Sequence, residues 1–369
     1  MYESRIAADR LTVDAVKGFP PEIDTLAAHN LAGHGFLRAA WYAACPSDRA
    51  TTLLLRRDAD GDVLAAIPTV PFGPAMAGAR KVPGSYWPLR SPLLSPDCDI
   101  FALARAFDCP AARRLGPVWR VGPLRADNPA TMRLIAAAQL ANWTVLSRKA
   151  GTGWVIDLDA ARGAPFPGGS AAKKLRAAWR KLEQRGHPHW RRISGDRWDA
   201  RTLGDMGRIE SQSWIGRATD GSGAKFLTEE QRALWHRVLK DPVLATNLSA
   251  TILMVDDRPV AFTFDLDDGP VQYSIAGGYT EDMKSLGVGK LANYRMMADA
   301  IADGQRLLDM GVGDSGYKRE MGAAPAYDMA DLLFVRRRAA AMMLAPVWGA
   351  ALPTSCPTAA MEWGARTNG

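Results

Sequence analysis

Residues 283–304 read MKSLGVGKLANYRMMADAIADG. Gly287 and Gly289 separate a strand-like run, Val271 to Tyr279, from a helix-like run, Leu291 to Ala302. Such a loop can be a plain turn. It can also cradle an anion, because glycines let backbone amides approach a phosphate closely. The helix beyond offers unpaired N–H groups at the positive end of its dipole. Lys284 and Lys290 add positive charge on either side. A Gly-x-Gly alone is common, so its meaning depends on its surroundings.

Upstream, LSATILMVDDRPVAFTFDLDDGPVQYSIAGGYT reads as three strands with tight turns at Asp256-Asp257 and Asp267 to Pro270. Before them, MGRIESQSWIG and TEEQRALWHRVLKD read as two helices. Downstream, LLDMGVGD is a short strand, SGYKREMG a short helix and AYDMADLLFVRR a closing strand. The order implies an α/β (α+β) mixed sheet with one parallel crossover. Earlier still, SAAKKLRAAWRKLEQRG reads as a helix from the N-cap Ser170 to Gly186, with Leu175, Trp179 and Leu182 on one face. Lys173, Lys174, Arg176, Arg180, Lys181 and Arg185 crowd the rest of it.

Residues 1–150 read as a first α/β unit. HGFLRAAWYAAC has helical spacing, ATTLLLRR and DVLAAIPTV flank the turn DADGD as a hairpin, and Pro and Gly crowd residues 68–92 into an irregular region. ATMRLIAAAQLANW then reads as a helix and WTVLSRK as a strand, and ARGAPFPGGS, residues 161–170, as a linker. The expected division is 1–150, 151–335 and a basic, apolar tail, 336–369. That tail begins RRRAAAMMLAPVWGAALP, too short to span a bilayer comfortably. It reads either as a segment packed on the body or as a peripheral membrane contact through 336–353.

The 369 residues are 47% hydrophobic, enough for a sizeable core, and carry a net charge of +7 that favours anionic partners. Cys45, Cys98, Cys109 and Cys356 show neither CxxC nor zinc spacing and read as free thiols in a reducing compartment. His187 and His189 lack further ligands nearby, so no metal is expected. The N-terminus has no apolar signal core, and the expected location is the cytoplasm, with the inner face of a membrane as the peripheral alternative.

Four motifs together, SAAKKLRAAWRKLEQRG, ESQSWIG, RPVAFTFDL between strands, and LLDMGVGDSGYKREMG, resemble the GNAT acyltransferases. Within them they are similar to the CelD-like or BioF2-like branch, related to the Fem-type aminoacyl transferases. The resemblance covers roughly residues 170–322 and implies tandem GNAT-like domains, the first one degenerate. It implies transfer of an acyl group from a thioester, acyl-coenzyme A or an acidic acyl carrier protein, to a primary amine, with no tightly bound cofactor. The acceptor is expected to be a cell-envelope lipid of sphingoid type or an amino-sugar or polysaccharide precursor. The alternatives are Fem-like transfer from aminoacyl-tRNA and a non-catalytic binding module. Nucleic acid is otherwise not expected, since no aromatics interleave with the charges.

In the family, the donor pyrophosphate sits on a Gln/Arg-x-x-Gly-x-Gly/Ala loop. Lys284-Ser285-Leu286-Gly287-Val288-Gly289, continued by Lys290, fits that spacing with Lys in the first place. The strand before it, through Ser274, Ile275, Ala276, Gly277 and Gly278, is implied to receive the thioester and to polarise its carbonyl with a backbone N–H. Tyr317 falls where the family places an acid for the leaving thiolate. Glu210, Asp265 and Asp314 are candidate bases, each with an equally ordinary structural reading as cap, salt bridge or solvated turn. Trp214 reads as core or acceptor-pocket wall, and Lys318 as a substrate ligand or the partner of an internal carboxylate.

Overall fold

The computed structural model describes residues 11–354 apart from 45, 59, 60, 86–88, 164, 165, 222 and 315. Residues 1–10, Cys45 and Cys356 lie outside the described residues. Cys98 and Cys109 are free thiols. The chain divides into two compact units, 1–151 with 327–369, and 152–326.

The first unit runs β1 (Leu11–Lys17), α1 (Glu22–Ala27), α2 (Ala39–Ala43), β2 (Thr51–Arg57), β3 (Val63–Pro71), β4 (Ala79–Lys81), β5 (Leu93–Leu94), α3 (Ile100–Asp108), α4 (Pro110–Leu115), β6 (Val118–Arg125), α5 (Pro129–Leu140) and residues 144–151 of β7 (Thr144–Asp157). The expected hairpin is β2 with β3, Leu53 opposite Ile67. Strands β1 to β4 form an antiparallel series, and β4 pairs parallel with β6 at Ala79–Lys81 and Val118–Arg120. Residues 329–335 pair antiparallel with β6. Phe107, Trp119, Trp143 and Phe334 fill the core, with ring centroids of Trp119 and Trp143 5.0 Å apart. Burying such rings supplies most of the driving force for this unit. The helix expected from His34 shrinks to the five residues of α2, and part of the region expected to be irregular is β3 and β4.

The second unit begins in β7 and continues through α6 (Gly169–Glu183), β8 (Pro188–Ser194), α7 (Ala200–Gln212), α8 (Trp214–Ala218), α9 (Glu229–Val238), α10 (Pro242–Asn247), β9 (Leu248–Val255), β10 (Arg258–Asp268), β11 (Val271–Tyr279), α11 (Val288–Ala302), β12 (Leu307–Val312) and α12 (Tyr317–Glu320). Then come β13 (Ala324–Val335) and α13 (Arg338–Trp348), which belong with the first unit from residue 327 onward. This differs from the expected 151–335 domain and separate tail. The physical reason is pairing: Met329–Val335 complete the ladder of β6, and α13 packs Ala341, Leu344, Ala345 and Trp348 on Leu146, Leu333 and Val335. The sheet of the second unit is the antiparallel series β8-β9-β10-β11, then β12 parallel to β11, then residues 153–157 of β7 antiparallel to β12. Strand β8 was not expected. Its sequence PHWRRIS carries two arginines and a histidine, which hides the alternation of a strand.

Alternation along β10 gives this sheet two distinct faces. Phe262 and Phe264 meet Phe226 and Trp235 of the α7–α9 side, with Trp235 and Phe264 centroids 4.7 Å apart. Ala261, with Leu253 and Val255 of β9, lies under α6 and α11, against Leu182, Val288, Leu291 and Ala292.

Candidate active site

The parallel ladder between β11 and β12 is short. Val271 pairs with Leu307, Gln272 with Leu308 and Tyr273 with Asp309, and there it ends. Immediately afterwards β11 bulges. Phe264 of β10 faces Ala276 while Asp265 faces Ser274, so Ile275 is an extra residue. Strand β12 is irregular too, between Asp309 and Val312, around Gly311 at φ 73°. The two strands therefore part, and the ladder between them does not continue past Tyr273 and Asp309. Backbone groups on that edge of β11 face an opening, and Gly277 is exposed in it. The bulge at Ile275 thus falls two residues before Gly277-Gly278.

The opening leads to the glycine loop. A 3-10 turn, Glu281–Leu286, passes into Gly287 at φ 76°, and α11 starts at Val288. The first helical bond runs from Leu291 N to Gly287 O, 3.0 Å. No side chain caps the helix, so the amides of Val288, Gly289 and Lys290 form an unpartnered first turn. Both glycines also answer to packing. Only glycine takes the left-handed φ of residue 287 without strain. A Cβ on Gly289 would lie 2.6 Å from Cδ1 of Tyr279. Leu286 and Val288 turn their side chains into the core beneath α6 and α11. Lys284 pairs with Glu281 at 3.3 Å and Lys290 with Glu320 at 3.0 Å, both exposed pairs of small energetic weight.

The basic helix α6 packs beside this loop. Ala178 of α6 packs 3.8 Å from where a Cβ of Gly287 would be. Lys173, Lys174, Arg176, Arg180 and Lys181 are exposed on the same helix, and none has a carboxylate partner among the described residues. The apolar Leu175-Trp179-Leu182 stripe was the signal for a buried face, but it could not say which element the face would meet.

The three candidate carboxylates are not brought together. Glu210 is buried on α7, and its oxygens accept from Lys225 N (2.9 and 3.1 Å) and Phe226 N (2.6 Å). Burial raises its pKa, and those backbone donors oppose the rise. Asp265 is buried on the other face of the sheet. It shares the parity of Ala261 and so lies on the α11 side, whereas Glu210 sits on a helix that contacts the Phe262–Phe264 side. Burial pushes the Asp265 carboxyl up to about 8, the charge of Asp267 adds to the rise, and the polar neighbours Thr263 and Ser274 and the charge of Arg192 oppose it. Asp314 lies in the loop before α12. It accepts from Gly316 N at 2.9 Å and pairs with Arg319, and both hold its pKa below the ordinary value.

Tyr317 opens α12 and is 43% exposed. Lys318 beside it is buried, and its ammonium donates to Gly311 O (3.1 Å), Val312 O (3.2 Å) and Gly313 O (2.8 Å). An ammonium has three N–H donors. All three here go to backbone, so Lys318, expected as a substrate ligand or as the partner of an internal carboxylate, shapes the β12–α12 turn that presents Tyr317. Trp214, expected as core or pocket wall, stands 55% exposed at the start of α8. Ser213 breaks the helix just before it, capping Ile215 N at 3.2 Å and turning the indole outward.

Residues 169–319 match the family model described as acetyltransferase (GNAT) domain. A search of curated proteins finds no match. Among solved structures the chain is similar to FemX, with TM-score 0.57 and 10% identity over 90% of this chain and 99% of that one. It is also similar to L-PGS from Bacillus licheniformis, TM-score 0.51 and 13% identity over 95% and 97% of the two chains. A third similarity is to the C-terminal domain of a putative lysylphosphatidylglycerol synthetase from Agrobacterium fabrum, TM-score 0.52 and 12% identity over 87% and 92%. At these identities the likeness is one of fold. The parted β11 and β12, the glycine turn and the uncapped α11 all lie inside the matched segment, and this chain accordingly carries a GNAT acetyltransferase domain, the domain of an acyltransferase.

Proposed function

We propose that the protein is an N-acyltransferase whose thioester donor lies along β11, from its parting with β12 to the first turn of α11. The observation that carries this is the end of the β11–β12 ladder at Tyr273–Asp309, followed by the bulge at Ile275. Beyond that break the edge of β11, from Ala276 to Tyr279, lies outside the β12 ladder, where a backbone N–H can bond an extended chain and polarise a carbonyl. The uncapped amides of Val288, Gly289 and Lys290 then receive the donor's pyrophosphate, with the cations of α6 beside them. Coenzyme A is the donor that fits such a loop. An acidic acyl carrier protein or an aminoacyl-tRNA is the second reading, favoured by the unpartnered row of cations on α6.

In the reaction a neutral amine attacks the carbonyl carbon, a tetrahedral oxyanion forms, and the C–S bond breaks as the thiolate takes a proton. Tyr317 is assigned as that proton donor. Among Glu210, Asp265 and Asp314, none combines exposure with a raised pKa: the first two are buried, and the exposed one is held low. The attacking amine then loses its proton to water. We assign the acceptor to the primary amines of envelope lipids or amino sugars, with Trp214 as an exposed apolar contact for it.

The reading is tested by thermal unfolding with coenzyme A and its acetyl, octanoyl and palmitoyl thioesters, beside Ser285→Glu. Ser285 is exposed two residues before the first turn of α11, so a carboxylate there opposes an anion without disturbing the core. Stabilisation of the parent that weakens in the variant supports the reading, and at a hundredfold excess over Kd it amounts to about 2.7 kcal/mol. No shift with any thioester removes coenzyme A as donor.

A further inference from the structure

We propose that one end of the first unit is a docking surface for an anionic lipid bilayer, made by α13 and the turn between β3 and β4. The inward face of α13 is fully accounted for: Ala341, Leu344, Ala345 and Trp348 pack on Leu146, Leu333, Val335 and Val118. The outward face is apolar as well. Met342 is 67% exposed, Met343 74% and Val347 84%, with Pro346 exposed between them. Residues 342 and 346, and 343 and 347, fall in two adjacent columns of one helix face. An 11-residue helix is too short to cross a bilayer, and no described helix is long and apolar enough to do so. With its second face uncovered, it suits a position in the plane of the interface.

Two further observations select a lipid surface. The β3–β4 turn carries Met76, 99% exposed. This turn is held at the same end: a Cβ on Gly116 would fall 1.9 Å from Gly78 O, Gly78 abuts Pro117, and Pro117 O accepts from Arg336 N at 2.9 Å, two residues before α13. The rim is cationic. Arg114, Arg337 and Arg338 are exposed and have no carboxylate partner among the described residues, and Arg336 reaches Arg113 O at 3.5 Å. Methionines adapt to irregular apolar surroundings, and arginines complement phosphate headgroups. A second copy of this chain would bring its own arginines to the same rim, whereas an anionic leaflet answers both the apolar face and the charge. The surface stands independently of the acyl-transfer reading.

The test is co-sedimentation of the full chain with vesicles of phosphatidylcholine and of phosphatidylcholine mixed with phosphatidylglycerol, together with sedimentation velocity of the free protein. The expected result is binding to the mixed vesicles, much weaker binding to the neutral ones, and release by salt. Met342→Glu with Met343→Glu, and separately Arg337→Glu with Arg338→Glu, each lower the binding about tenfold or more. These side chains are exposed, so the variants keep the parent's unfolding temperature. Lys173→Glu with Arg176→Glu on α6, in the other unit, leaves vesicle binding unchanged. The proposal is overturned if no vesicle binds, or if the α6 pair matters as much as the arginines of α13. It is overturned equally if the methionine variants change only the oligomeric state, which would assign the face to a second copy.

Discussion

The two units share a strand plan but differ at one joint. In each, four antiparallel strands lead to a strand parallel to the fourth, and another antiparallel strand closes the sheet. In the second unit the fourth strand, β11, has nine residues and passes through Gly287 into the uncapped, 15-residue α11. In the first unit the fourth strand, β4, has three residues. An irregular segment follows, then α3 and α4, whose first turns are closed by their own side chains: Asp99 accepts from Ala102 N at 2.7 Å, and Cys109 Sγ from Ala112 N at 3.3 Å. A capped helix start has lost donors that an anion would need. One strand plan thus carries a capped crossover in one place and, in the other, the uncapped joint to which we assign the donor. What distinguishes them is the crossover, not the sheet.

Each unit also holds a buried carboxylate that acts as a clamp, and these give the largest expected effects. Asp331 of β13 accepts bidentately from Arg120 (3.0 and 2.8 Å) and through Oδ2 alone from Arg148 (3.1 and 2.6 Å), while Glu210 holds the backbone at Lys225 and Phe226. Glu210→Ala should cost about 3 kcal/mol by denaturant unfolding, since it leaves buried backbone donors unpaired, and Asp331→Ala somewhat less, about 2 kcal/mol, since Arg120 and Arg148 keep access to water. Asp331→Ala should leave thioester stabilisation intact, and a lost thioester response there would join the first unit to the donor site.

Next in size is Tyr317→Phe. The helix after the parallel strand in the first unit, α5, is capped by Asn128 and has no tyrosine, consistent with an inert joint. Removing the Tyr317 hydroxyl should lower kcat about a hundredfold with KM for the donor unchanged, in steady-state assays with a primary amine. An unchanged kcat would remove Tyr317 as the proton donor.

A third prediction concerns pH. Asp265 has a folded pKa raised to about 8 by burial, far above the ordinary carboxyl value. A raised carboxyl binds more protons folded than unfolded. Its contribution is therefore fully present below the unfolded pKa and is lost as pH rises through about 8. Asp265→Asn cannot ionise, so its stability relative to the parent should climb from pH 5 to pH 8, by at most about 1.4 kcal/mol per pH unit. A flat difference would mean that the parent carboxyl is not held protonated. The smallest effect is that of Ser285→Glu, about tenfold weaker binding of coenzyme A by calorimetry with no loss of stability.

Legibility in the sequence followed locality. The β2–β3 hairpin, the β9–β10–β11 series and the strand–glycine–helix joint are set by neighbours in sequence, and all were readable. Strand β8 was hidden by Arg191, Arg192 and His189, and β13 could not be assigned to the first unit because its partner β6 lies some 200 residues away. The candidate site divided in the same way. The glycine loop was visible as spacing, but Lys318 became a backbone staple through carbonyls of a turn whose shape spacing does not specify. The sequence placed Asp265 on a strand between Phe264 and Leu266. It could not tell that α11, rather than α7, covers its face, and so could not separate Asp265 from Glu210.

The most direct measurement is amide hydrogen exchange with and without a coenzyme A thioester. The donor path proposed here requires slowed exchange at residues 275–279 of β11 and at Val288 to Lys290, with residues 82–117 of the first unit unaffected. Protection confined to 82–117, or stabilisation by the thioester without protection at either stretch of the second unit, would contradict it.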